Sequence, residues 1–97
     1  MEKAHKILEQ KAVRITPMRQ LLLDYFLQHE GTFGLMELEN AFPKSDRITM
    51  YRTLKTFEEK GIIHGINNET GEVKYAVYNS FFLKSFESAV HSNSVRF

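Results

Sequence analysis

Cysteine is absent from this 97-residue chain, and its absence excludes disulfide bonds, thiolate-bound metals and thiol nucleophiles together. Long apolar runs are missing too. No stretch approaches the roughly 20 consecutive apolar residues of a membrane span, and the opening Met-Glu-Lys-Ala-His-Lys is polar, without the apolar run of a signal peptide. A cytoplasmic location and no membrane partner are the expectation. Charge of one sign is also lacking: 13 Lys and Arg against 12 Asp and Glu leave a net charge of +1. Any nucleic-acid reading must therefore rest on where the cations sit. There is no phosphate-cradling glycine loop, no nucleophile motif and no carboxylate pair placed in an evident cleft, so no enzyme is expected. The histidines, His5, His29, His64 and His91, are scattered without a His-x-x-x-His pair, which makes them surface or packing residues rather than metal ligands. Hydrophobic content of 42% with charged content of 26% fits an ordinary globular chain, and the length fits one core.

What is present is organised around Asp46 to Gly61, D-R-I-T-M-Y-R-T-L-K-T-F-E-E-K-G. Asp46 can accept from the free amide of Thr49 as an N-cap, and Gly61 can take the left-handed conformation that closes a helix. Met50, Leu54 and Phe57 fall at i, i+4 and i+7 and form one apolar stripe, which faces the core. At roughly 100° per residue, Ile48, Tyr51, Arg52 and Lys55 collect on the other side. A solvated face has little use for Ile and Tyr. A helix laid in a DNA major groove does, because Arg pairs with guanine O6 and N7 while apolar groups touch thymine methyls.

The rest of the chain supplies a frame for that helix. Glu2 to about Ala12 favours a helix with a thin stripe of Ala4, Ile7, Leu8 and Lys11, placed at the domain's edge. Val13 to Ile15 is an extended connector. Thr16-Pro17 then starts a second helix, Thr as N-cap and Pro at the first helical position, running to about His29. Met18, Leu22, Phe26 and His29 repeat along it, with Leu21 and Tyr25 widening the stripe. Gly31 to Gly34 interrupts the pattern, and a short third helix with Leu35, Leu38, Ala41 and Phe42 follows, for which Gly34 is an acceptable N-cap and Pro43 the stop. Only Lys44 and Ser45 separate it from Asp46, a helix-turn-helix spacing. After Gly61, Ile62–Ile66 and Val73–Tyr78 are β-branched and aromatic and flank the turn residues Asn67 to Gly71, a β-hairpin. The fold expected is mainly α with a small two-stranded hairpin: a winged helix-turn-helix over residues 1–79. Residues 80–97 are expected to add an amphipathic helix with the stripe Phe82, Leu83, Phe86 and Val90, and a fraying tail.

The segments R-I-T-P-M-R at Arg14–Arg19, I-T-M-Y-R-T-L at Ile48–Leu54 and E-K-G-I-I-H at Glu59–His64 resemble the DNA-binding domain of the ferric uptake regulator family. The resemblance covers about Lys11 to Tyr78. It implies a metal-responsive winged-helix transcription factor, usually a repressor, in which a dimerisation domain follows the wing. By the same resemblance Tyr51 and Arg52 read the major groove, Arg14 reaches the minor groove, and Arg19 and Thr49 contact the backbone. This sequence departs from the pattern at Val13, where the family often has a helix-ending glycine, and at Thr32, where many members carry a metal-binding histidine. After the wing stands a Phe-rich segment without Cys-x-x-Cys or a His-rich run. The family uses zinc and iron or similar metals, but no cofactor is expected in this chain.

The function expected is sequence-specific binding of double-stranded DNA by a transcriptional regulator of repressor type, through Arg14, Arg19, Arg47, Thr49, Tyr51, Arg52, Lys55 and Lys74, with Asn67 and Asn68 as further phosphate contacts in the wing. The alternative is a winged-helix protein-interaction module, with Tyr51 and Ile48 as interface anchors. A homodimer through Phe82, Leu83, Phe86 and Val90 is expected, since one recognition helix reads few base pairs; fold-back of that stripe onto the first helix is the competing arrangement.

Overall fold

Side-chain and backbone caps set the helix ends in the computed structural model, which describes residues 2–78. Helix α1 spans Glu2–Gln10, α2 Pro17–Gln28, α3 Leu35–Ala41 and α4 Arg47–Glu59. At the start of α2 the Thr16 hydroxyl accepts from the Arg19 amide at 3.2 Å, and Pro17 occupies the first turn, where its missing N–H costs nothing. At the start of α4 the Asp46 carboxylate accepts from the Thr49 amide at 2.9 Å and from the Thr49 hydroxyl at 3.0 Å. Gly34 has no side chain with which to cap α3; instead its own N–H donates to the Glu37 carboxylate at 2.7 Å, one half of a capping box.

Two helices end in the same way. After α4, Gly61 takes φ +73°, its N–H donates to the Glu58 carbonyl at 3.1 Å and that of Ile62 to the Phe57 carbonyl at 2.8 Å. After α1, Ala12 takes φ +58°, its N–H donates to the Glu9 carbonyl at 3.1 Å and that of Val13 to the Leu8 carbonyl at 2.9 Å. Both are Schellman motifs, and the positions that such a motif pairs by apolar contact, Ile62 with Phe57 and Val13 with Leu8, all belong to the buried cluster. The left-handed residue that ends α1 is thus Ala12 rather than Val13, whose place is the buried extended position that follows.

Three strands, not two, form the sheet. Strand β1 is Phe33–Gly34, β2 Ile63–Asn67 and β3 Val73–Val77, in the order β1-β3-β2 and antiparallel throughout. Phe33 lies opposite Tyr75 and Gly34 opposite Lys74, so the glycine-flanked break between α2 and α3 is a strand that the wing recruits. The hairpin runs from Ile63 opposite Val77 to Asn67 opposite Val73. Ile62, read as a strand residue, precedes the strand and is buried. The wing turn is built on Asn68, whose side-chain oxygen accepts from the Thr70 amide, the Thr70 hydroxyl and the Glu72 amide at 3.0, 2.6 and 3.0 Å, an Asx-type arrangement that fixes the loop.

The core lies where α1, α2, α4 and the inner face of the sheet meet. Met50, Leu54 and Phe57 are buried as their spacing requires, and Tyr75 and Val77 reach them from β3. Thr53 is buried beside the stripe and donates its hydroxyl to the Thr49 carbonyl at 2.8 Å, so its burial leaves no polar group unpaired. In α2 the core face is turned from the expected one. Leu23 joins Leu22 and Phe26 inside, whereas Leu21 is 42% exposed. Tyr25 is half-buried in an aromatic group with Phe33 and Phe42, and His29, the C-cap of α2, stacks on it at 4.2 Å. Ala4 and Leu8 of α1 are fully buried, so the first helix is part of the core and not an edge. This is a winged helix-turn-helix with a three-stranded sheet.

Candidate nucleic-acid interface

Helix α4 divides sharply into two faces. Met50, Thr53, Leu54 and Phe57 are buried, while Arg47, Ile48, Tyr51, Arg52 and Lys55 are exposed. Ile48 is 59% and Tyr51 46% exposed, unusual for apolar and aromatic side chains on a helix whose other face already fills the core. The N-terminal half of this outward face adjoins the start of α2. Between them runs a groove of about 340 Å³ lined by Thr16, Pro17, Met18, Arg19, Thr49, Arg52 and Thr53. It is lined by two arginines, Arg19 and Arg52, a favourable setting for an anion, while the N-terminus of α4 is already occupied by the Asp46 carboxylate.

The expected site residues fall into three groups. Arg19, Thr49 and Arg52 meet in the groove, and the Arg19 guanidinium donates to the Arg14 carbonyl at 2.8 Å, which draws the connector before α2 to the same place. Tyr51, Arg52 and Lys55 share the outward face of α4 with Ile48. Arg47 and Lys74 are engaged elsewhere. Arg47 forms a two-pronged pair with Glu39 of α3, through Nε and through Nη2, the latter at 3.1 Å; that pair ties the two arms of the helix-turn-helix together. Lys74 reaches the Glu37 carboxylate at 3.3 Å, on the side of the sheet where Gly34 pairs with it.

Charge in this region is fixed by hydrogen bonds. The Thr49 amide, followed by the Thr49 hydroxyl and the charge of Arg52, holds the Asp46 carboxyl below its ordinary value of 3.8. The Gly34 N–H and then Lys74 do the same for Glu37. The Glu39 carboxylate raises Arg47 further. Burial, then the charge of Glu58, pushes up the Tyr75 hydroxyl, which lies on the inner face of the sheet beneath α4.

The groove was only half visible in the sequence. Arg19, Thr49 and Arg52 are marked by their motif, but Thr16, Pro17, Met18 and Thr53 line it because α2 starts where α4 starts, a tertiary fact. Among the described residues no group of three or more His, Asp or Glu side chains is placed to hold a metal ion, and no helix is long and apolar enough to cross a membrane. The stripe Phe82, Leu83, Phe86 and Val90 lies outside the described residues.

Comparison with known proteins places this geometry. The peroxide operon regulator of Bacillus subtilis is 31% identical over 67 residues, which are 65% of this chain and 46% of that protein, so the chain spans less than half of this relative's length. The fold is shared with the Vibrio cholerae ferric uptake regulator (TM-score 0.69, 15% identity, 95% of each chain). It is shared as well with the GAS PerR-Zn-Zn structure (TM-score 0.63, 22% identity, 78% of this chain and 52% of that one) and the S. aureus MepR–DNA complex (TM-score 0.63, 21% identity, 90% and 72%). The ferric uptake regulator family profile matches residues 10–88, ten residues beyond Tyr78, where the sequence motifs run out. With a match over 79 of its 97 residues, the chain belongs to the ferric uptake regulator family.

Proposed function

We propose that this chain binds double-stranded DNA sequence-specifically and acts as a transcriptional repressor. The observation that carries the reading is the outward face of α4, where Tyr51, Arg52 and Lys55 stand exposed beside a groove that adds Arg19 and Thr49. A major groove admits one α-helix, whose N-terminal residues approach base edges. Arg52, one turn inside α4, is placed to offer its guanidinium fork to guanine O6 and N7. Arg19 and Thr49 then face the flanking phosphates, and Arg14, on the exposed connector before α2, reaches along the backbone toward the minor groove.

The wing contributes less than its position suggests. Asn68 spends its side-chain oxygen inside the turn, Lys74 is held by Glu37, and the turn itself carries Glu69 and Glu72. Carboxylates at the tip repel phosphate. Sequence reading in this account therefore belongs to α4, with Lys55 and Arg47 as secondary cations, Arg47 only after exchange of Glu39 for phosphate. Such binding by one helix is weak, so a dimer on a two-fold site is part of the proposal, with Phe82, Leu83, Phe86 and Val90 as the self-pairing stripe.

The exposed Ile48 and Tyr51 also suit a protein partner. Salt separates the two readings. Selection of duplexes from a random pool, followed by titration against ionic strength, gives an affinity falling linearly in log-log for DNA, and a nearly flat response with no enriched sequence for a Tyr-centred protein interface.

A further inference from the structure

Ile48 is the second residue of α4 and the most solvent-exposed side chain of its type in the helix, at 59%. It belongs neither to the buried cluster nor to the partly buried residues packed against it. By helical geometry it points directly away from Phe57, at the centre of the core stripe, and Tyr51, Arg52 and Lys55 lie within roughly 60° of its direction. The fold has no use for it there. A β-branched residue lowers helix propensity relative to a straight-chain one, and more than half of its apolar surface stays in water. An isoleucine side chain has neither donor nor acceptor, so the one interaction it can add to a base edge is apolar contact.

In the major groove the apolar feature of unmodified DNA is the thymine C5-methyl. The flanking cations bring phosphate, and Arg52 within a turn brings a guanine edge, so the surroundings of Ile48 match a groove wall and not an apolar pocket. From this we infer that Ile48 is a specificity-determining residue that reads a thymine methyl close to the guanine engaged by Arg52, and that the preferred site contains a thymine at that place. The inference rests on the DNA reading above and adds to it a residue and a base.

The test uses the full chain and the duplex enriched by selection. Each thymine is replaced in turn by deoxyuridine, which removes the methyl and keeps every hydrogen-bonding group, and affinity is measured for wild type and for Ile48→Ala. Since Ile48 is exposed, the variant keeps its fold, which a melting curve verifies. At one thymine per bound helix the wild type loses about fourfold in affinity, the equivalent of ~0.8 kcal/mol for one CH₂-sized group, and Ile48→Ala shows no loss at that position. Equal binding of all deoxyuridine duplexes by the wild type overturns the inference while leaving the DNA reading intact. A deoxyuridine loss that persists undiminished in Ile48→Ala overturns it as well, assigning the methyl to another side chain. Failure to enrich any duplex, or binding that ignores salt, removes the DNA reading and this inference with it, in favour of a protein partner.

Discussion

Replacing Ala12 by glycine stabilises this domain, although it deletes a side-chain atom. Ala12 closes α1 at φ +58°, with the two hydrogen bonds of a Schellman motif made by its own N–H and that of Val13. An L-residue in the left-handed region carries a steric penalty of ~1–2 kcal/mol that glycine escapes. Against this, glycine has the greater freedom in the unfolded chain, a cost of about 0.4–1 kcal/mol. The balance is a gain of roughly 0.5–1 kcal/mol, or about 2–8 °C in Tm at 4–8 °C per kcal/mol for a domain of this size. Gly61 supplies the control, because it closes α4 in the same motif at φ +73° with nothing within 4 Å of where a Cβ would stand. Gly61→Ala therefore loses about as much as Ala12→Gly gains, by strain alone and not by collision. Urea and thermal denaturation of the two variants and of the double variant read the effect, and the two shifts add because the motifs are separate. A neutral or destabilising Ala12→Gly beside a destabilising Gly61→Ala would refute the left-handed assignment at Ala12.

Other outcomes follow from the same structure. Asp46 and Glu37 both have carboxyls held below their ordinary values, 3.8 and 4.5, so the stability they contribute is complete above those values and is lost as pH falls through the lower folded ones; Asp46→Asn should flatten the acid limb of a Tm-versus-pH curve, and an unchanged limb would argue against the cap. Glu69→Gln with Glu72→Gln removes two carboxylates from the wing turn and raises duplex affinity at low salt, with the gain fading as salt is added; a loss of affinity would show that the wing tip engages DNA through those side chains. The sequence, which has no cysteine and carries Thr32 where many family members have a metal-binding histidine, sets the expectation that a chelator leaves melting temperature and duplex affinity where they were; a drop restored by zinc would contradict it.

Helix α4 was legible because everything that defines it is local: Asp46 and Gly61 at its ends and a stripe three to four residues apart between them. The features that were not legible depend on partners distant in sequence. Phe33 and Gly34 carry no strand pattern of their own and become β1 only by pairing with Tyr75 and Lys74. In α2, the sequence offers apolar residues on both flanks of Leu22, and the packing of its neighbours selects Leu23 over Leu21. Of the candidate site, the motif residues Arg19, Thr49 and Arg52 do meet. Arg47 and Lys74 look like free cations in the sequence, yet the fold brings Glu39 and Glu37 against them. Ala12 has a physical reason of its own for escaping notice, since alanine at a helix end reads as helix continuation and only the backbone reveals the turn.

If α4 reads base sequence through Arg52 while the start of α2 holds phosphate through Arg19, the two side chains differ in what their loss does. The decisive measurement is affinity for the selected duplex and for a random duplex across a range of salt, with wild type, Arg52→Ala and Arg19→Ala. Arg52→Ala is expected to lose about 1–3 kcal/mol on the selected duplex and little on the random one, whereas Arg19→Ala weakens both alike and lowers the log-log salt slope by about one. Equal losses on the two duplexes for Arg52→Ala, or a wild-type affinity that does not respond to salt, would contradict those roles.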